Sequence, residues 1–335
     1  MLDHPADLAR ASSTVFSMLD DPADLARASA VSRSWRQFVI ANQFSKLQCL
    51  RACPEVSTFM HVDVITSGSS STTHQDQLDR EHRAYTNLAH GLLSPYKPWD
   101  CIIHCIGASS TDNFPVETIE NTIEPMDLVE FRPSYWSSRG NRDPAAHEYL
   151  IYRLQADLCL VDEIKMKPFK ALFQIGDPIY SAKSIRFQMG YPRSPLRPEA
   201  LVCDENEGQL IDDRNYVWTY TSREFPVLQE DVLQSFKLPR QVLCIGGVVK
   251  VELLGRAQKQ AIDGLYYVCV SHVQILGKPL SRELGVVPPG NGLVLNYYLD
   301  HRTCGIPGSE SSGDDAAAGG IACRRGSGIL ARHAG

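Results

Sequence analysis

MLDDPADLARASAVSRSWRQFVI, residues 18–40, reads as two short helices broken at a serine. Asp21 is a good N-cap, and Pro22 stands at the first helical position, where its missing N–H costs nothing. Asp24 adds negative charge to the first turn, which the helix dipole favours. Leu25, Ala28, Ser29 and Ser32 then form a stripe of small and apolar residues at three-to-four spacing. Ser32 caps the second helix, whose Trp35, Phe38 and Val39 share a face. A helical pair this short cannot bury its own apolar stripe, so it must pack against something else.

The order Leu19, Pro22, Leu25, Ala28, Val31, Ser32, Trp35, Arg36 resembles an F-box. That resemblance implies docking onto the Skp-type adaptor of a cullin-based ubiquitin ligase. The contacts would be Leu19, Pro22, Leu25, Val31, Trp35 and Phe38. Residues 1–12 (MLDHPADLARAS) repeat residues 18–29 with one exchange, His4 for Asp21. This duplicate occupies the place of the first F-box helix and leaves only Val15, Phe16, Met18 and Leu19 of that segment.

Composition narrows the rest. A chain of 335 residues has room for a small N-terminal module and a larger domain. A net charge of −6 without any Lys/Arg-rich run argues against nucleic acid as a partner. No apolar stretch reaches the roughly 18 residues of a membrane span, and no basic-then-apolar leader opens the chain. The ten cysteines include no C-x-x-C pair, so reduced, partly buried thiols are expected rather than a metal site. With no N-x-S/T sequon either, the expected location is cytoplasm, nucleus or both.

Residues 41–60 continue as helix, closing a module over 1–60. A linker over 61–98 follows: 64–78 is rich in Ser, Thr and Gly, and an amphipathic helix then places Tyr85, Leu88, Ala89 and Leu92 on one face. Over 99–282 the period changes from helical to strand-like. Strands are expected at Cys101–Ile106, Tyr149–Leu154, Leu158–Lys165, Ser184–Met189, Tyr216–Thr221, Gln234–Leu238, Val248–Leu253 and Tyr266–Ile275. About eight antiparallel strands without alternating helices suit a two-sheet jelly roll. Residues 283–335, Gly- and Ala-rich, read as a disordered tail. The expected class is therefore α+β multidomain: an all-α module, an all-β sandwich and a tail.

Residues 108–113 (ASSTDN), 120–123 (ENTI) and 135–138 (YWSS), followed by the apolar run 149–154, resemble the opening of galactose-binding-like, discoidin-type sandwiches. The pair 249–255 and 266–277 resembles their close. Helical module, linker and sandwich together resemble a group of plant F-box proteins without an assigned substrate.

Gly246–Lys250 lacks the spacing and hydroxyl of a phosphate loop, and no G-x-S-x-G or H-E-x-x-H occurs. Cys101 and Cys105 flank His104 but point away from it on an extended run. No catalytic residue and no cofactor are expected. Ser110, Asp112, Asn113, Ser138 and Arg139 are the candidate loop contacts for a target. Tyr135, Tyr180, Tyr216, Trp218 and Tyr220 fall near loops or strand ends, whereas Trp136 is expected to pack under a sheet.

The expected function is a non-catalytic receptor that presents a target protein through its tether, the linker setting the target's reach. The second reading is a stand-alone glycan- or peptide-binding sandwich with a decayed F-box.

Overall fold

The computed structural model describes residues 13–65, 73–124, 128–129, 132–193, 213–287 and 292–298. The repeated stretch 1–12 and the middle of the Ser/Thr-rich segment lie outside them. So does everything after residue 298.

Asp21 accepts from the Ala23 N–H at 2.8 Å and starts helix α1, Pro22–Val31. Ser32 is extended, and its Oγ accepts from the Trp35 N–H at 3.2 Å, starting α2, Arg33–Ala41. Gln43 takes a left-handed conformation (φ 51°) to turn the chain into α3, Phe44–Ala52. Phe16, Leu25, Val39 and Phe44 form the small core of this module. Phe16, Phe38 and Phe44 meet in a triangle of rings with centroids 5.7–5.8 Å apart.

Two sheets make the sandwich, each turning alternate side chains toward the other. One sheet is ordered β6-β5-β8-β3-β2, from Tyr216–Thr221, Ala182–Pro192, Val248–Arg256, Glu148–Leu154 and Ile102–Ala108, with Phe225–Pro226 added on β5. The other is ordered β7-β4-β9, from Gln234–Ile245, Leu158–Lys170 and Cys269–Pro279. Short ladders at Trp99–Asp100, Trp136–Ser137 and Ile179–Tyr180 extend it. All pairs within the two sheets are antiparallel. Between them lie Tyr152, Val251 and Phe187 from one sheet and Val161, Ile164, Cys244 and Val273 from the other.

The opposite parity of β4 and β7 has a different use. Leu158, Leu160, Leu243 and Ile245 face away from the sandwich core and are still buried. They are covered by Cys49, Cys53 and Val56 of the helical module and by α4, His74–Leu93. Thr73 and Asp76 form a capping box that starts α4, and Ala84, Tyr85, Leu88, Ala89 and Leu92 are its buried face.

The segments around this joint depart from the sequence reading. Phe59–Ile65 is strand β1 rather than the start of a free linker. Leu284–Val287 and Leu293–Tyr298 are strands β10 and β11, inside what reads as tail. β1 pairs in parallel with β11, which pairs with β10. Leu284, Leu293 and Leu295 join the shared core. Parallel partners more than two hundred positions apart leave no local signal, which is why a pattern reading passes over them. The connection between module and sandwich is thus a packed interface, not a tether.

Candidate docking surfaces

The six residues singled out on the helical module separate by burial. Leu25 is 3% exposed, so it supports the module from within rather than meeting a partner. Leu19 and Phe38 pack half-buried on the same core, and Pro22 is half-buried at the start of α1. Val31 and Trp35 are open to solvent, at 65% and 45% exposure. The Trp35 ring stands edge-on to Phe16 with centroids 5.3 Å apart, so it is oriented before any partner arrives. Val15 and Met18, absent from the sequence assignment, are also exposed. The chain beside them is held by Gln48, whose Nε2 donates to the Leu19 carbonyl at 2.9 Å.

The second surface lies where β4, β5, β7, β8 and β9 turn at the ends remote from the shared core. β4 alone runs thirteen residues from Leu158 in that core to Lys170 at the loops, on the order of 40 Å. Arg256, at the end of β8, organises these loops and is 1% exposed. Its Nη1 donates to Ser138 Oγ at 3.0 Å, to the Arg139 carbonyl at 2.7 Å and to the Tyr266 carbonyl at 2.9 Å. Its Nη2 donates to the Glu148 carboxylate. Glu148 also accepts from Ser109 and, at 2.9 Å, from Ser110 Oγ. One buried ion pair therefore ties together loops 109–117, 138–147 and 257–268.

This network revises two of the five loop candidates. Ser138 is fully buried and serves Arg256, so it is not a target contact. Ser110 is committed to Glu148 and to the Arg139 N–H, which it accepts at 3.1 Å. Asp112, Asn113 and Arg139 remain exposed. Trp136 is fully buried and donates from Nε1 to the Ser110 carbonyl at 3.0 Å.

At this end Tyr135 and Tyr180, two of the aromatics placed near loops by the sequence, meet Glu117, Phe169, Phe173, Asp263 and Tyr267, which carry no sequence signal of their own. Glu117 accepts from Tyr135 Oη at 2.6 Å, and Tyr135 stacks on Phe169 at 3.7 Å. Phe169 meets Phe173 at 6.1 Å. Tyr180 meets Tyr267 edge-on at 6.2 Å, and Tyr267 donates to Asp263 at 2.6 Å. Burial holds Glu117 above the ordinary carboxylate range; partial burial and then the nearby Asp263 do the same to Asp112, against Arg139. Nothing in this arrangement pairs a nucleophile with a base, and among the described residues no cluster of ligating side chains fits a metal ion.

Residues 12–51 match the family model described as F-box-like. Over 297 residues the chain is 44% identical to an F-box protein from Arabidopsis thaliana, covering 85% of this chain and 74% of that one. The sandwich is similar to the family 32 carbohydrate-binding module of C. perfringens NanJ in complex with galactose. There the TM-score is 0.32 and the identity 10%, over 51% of this chain and 90% of that one. A fucolectin from Morone saxatilis serum is similar at TM-score 0.34 and 11% identity, over 55% of this chain and 50% of that one. Likeness at these scores brings no ligand to this chain.

Proposed function

The chain belongs to the F-box proteins, and on that premise we propose that it is a non-catalytic substrate-recognition subunit of an SCF-type ubiquitin ligase. Val31 and Trp35, with Val15 and Met18 beside them, dock on a Skp-type adaptor and through it on a cullin scaffold. The loop end of the sandwich holds the target protein. The observation that carries this reading is the shared core of Cys49, Val56, Leu88, Leu160, Leu243 and Leu295, which fixes the two surfaces relative to each other. A fixed separation presents target lysines to the ubiquitin-charged enzyme at a set distance and raises their effective concentration there. The chain itself performs no chemistry. It works in the cytoplasm or nucleus, where such ligases and their targets meet.

The test is binding of the full chain to a purified Skp-type adaptor by calorimetry, with Trp35→Ala alongside. Saturable binding that the variant loses supports the reading. Absence of binding by the unmodified chain sinks it.

A further inference from the structure

The loop end of the sandwich gathers exposed apolar side chains as few globular surfaces do. Phe114 and Val116 stand on one loop, and Leu172, Phe173 and Ile175 on another. Ile262 tips the hairpin beyond β8. Their exposures run from 44% at Val116 to 105% at Ile175. Clusters of this kind on a soluble protein mark an interaction site.

The three loops form one continuous surface. Glu117, Tyr135, Phe169 and Phe173 touch in series, and Tyr180, Tyr267 and Asp263 form a second series. Both series end on the small core of Phe169, Tyr180 and Cys269. Carboxylates stand among the apolar tips: Asp112, Glu117 and Asp263. Among the described residues none of these three is ion-paired. Of the nearby lysines, Lys170 pairs with Asp177 at 3.5 Å, and Lys259 lies over the Tyr266 ring at 5.9 Å. Arg139 turns its Nε to the Thr111 carbonyl at 3.3 Å. Asp112 and Glu117 are partly desolvated, and Asp112 feels both of the other two carboxylates, so negative charge is crowded here although Arg139 offsets part of it at Asp112.

Resting on the receptor reading, we propose that this end of the sandwich binds a basic segment of the target protein that also carries apolar side chains. Apolar residues of that segment cover Phe173, Ile175 and Ile262, and its lysines or arginines meet Asp112, Glu117 and Asp263. Charge complementarity favours this occupant. A sugar fits less well, because it is held by flat exposed rings, and the open tips here are mostly aliphatic while the Tyr135 ring is already covered by Phe169. The buried Arg256–Glu148 pair keeps the loops in place before binding, which lowers the ordering cost.

The test is fluorescence anisotropy on the full chain with three labelled peptides of equal length: alternating Lys/Leu, alternating Glu/Leu and alternating Lys/Ser. The Lys/Leu peptide binds and weakens with rising salt, and the other two bind far less. Combining Asp112→Asn, Glu117→Gln and Asp263→Asn weakens it about tenfold, and Phe173→Ser with Ile175→Ser does likewise. A charge-matched control, Asp63→Asn with Asp79→Asn and Glu81→Gln on the remote module, leaves it unchanged. Equal binding of the Glu/Leu peptide, indifference to the loop variants, equal loss in the control, or displacement by galactose would each overturn the proposal. Adaptor binding measured on the same samples separates the two claims. Intact adaptor binding with no peptide preference removes only the target class, whereas absent adaptor binding removes the receptor reading itself.

Discussion

The Arg240 guanidinium of β7 grips the Glu55 carboxylate of the turn that follows α3, with Nη1 donating to Oε2 at 3.0 Å and Nη2 to the other oxygen. Glu55 is almost fully buried. Around this ion pair the shared core continues: Lys278 Nζ donates to the Ser94 carbonyl at 2.9 Å, and Asn87 Nδ2 to Glu283 at 2.6 Å. The helical module is therefore joined to the sandwich by burial and by the Arg240–Glu55 pair, and α4 by the bonds of Ser94 and Asn87.

Arg240→Ala leaves Glu55 buried without its partner. Removing one member of a buried pair is costly, but Arg240 is 38% exposed on its side chain, so the loss is on the order of 2 kcal/mol. Denaturant unfolding checks this, followed both by the helical far-ultraviolet signal and by the near-ultraviolet signal of the buried Trp136. The two signals move together and shift to lower midpoint together. Separate transitions would show the modules to be independent.

Leu25 and Val31 lie six residues apart on one helix yet carry different loads. Leu25→Ala opens a cavity in the core of Phe16, Val39 and Phe44 and lowers stability by about 2–4 kcal/mol. Val31→Ser removes an exposed side chain and leaves stability within about 0.5 kcal/mol. Adaptor affinity falls in both, but in Leu25→Ala only to the extent that the module unfolds. Thermal melting run beside the binding titration separates the two causes. A Val31→Ser protein with unchanged affinity would remove that residue from the docking surface.

These contrasts show where pattern reading succeeds. The strand Tyr216–Thr221 has the expected bounds, and the strand expected at Tyr149–Leu154 begins one residue earlier; both are short runs rich in β-branched, aliphatic and aromatic residues. The helices begin at Asp21 and Ser32, whose capping signal is local. The joint was partly legible too: Leu158–Val161 and Val242–Ile245 are continuous apolar runs, the mark of a strand covered on both faces. β1 was not, since it exists only through β11, more than two hundred positions away, and β10 and β11 form a hairpin inside a Pro/Gly-containing stretch that reads as tail. The loop end was least legible. Ser138 is drawn inward by a guanidinium 118 residues away, and Glu117 comes near Asp263 through Asp112, which interacts with both, and through the ring series from Tyr135 to Tyr180.

Arg256 is the residue on which that end depends. Its donors serve Ser138, the Arg139 and Tyr266 carbonyls and Glu148, so no single smaller group replaces it. Arg256→Lys keeps the charge but presents a point cation where a planar fork is required. The loss on truncation to Ala is on the order of 3–5 kcal/mol, and Lys restores little of it. Pairing Arg256→Met with Glu148→Gln recovers part of the stability, because the stranded carboxylate is removed. Denaturation midpoints of the single and double variants check this; a Lys variant as stable as the parent would show that the forked contacts are dispensable.

Glu117 supplies a pH test of the loop end. Burial raises its carboxyl above the ordinary range, so the folded protein holds this proton more tightly than the unfolded chain does. A raised carboxyl contributes stability that is complete below its unfolded value and is lost as pH rises through the folded one. At neutral pH the ionised Glu117 is therefore a net burden, relieved only in part by the Tyr135 hydroxyl. Glu117→Gln keeps an acceptor for that hydroxyl and removes the charge. The variant melts higher than the parent at pH 7, and the difference closes as pH falls through the carboxylate range, where the parent's own side chain is neutral. The same variant binds basic peptide more weakly, so stability and binding change in opposite directions, as they do where a site is held ready for a ligand. Melting curves across pH for parent and variant decide it: a gap that widens toward acid would place the charge of Glu117 among the forces that hold the fold.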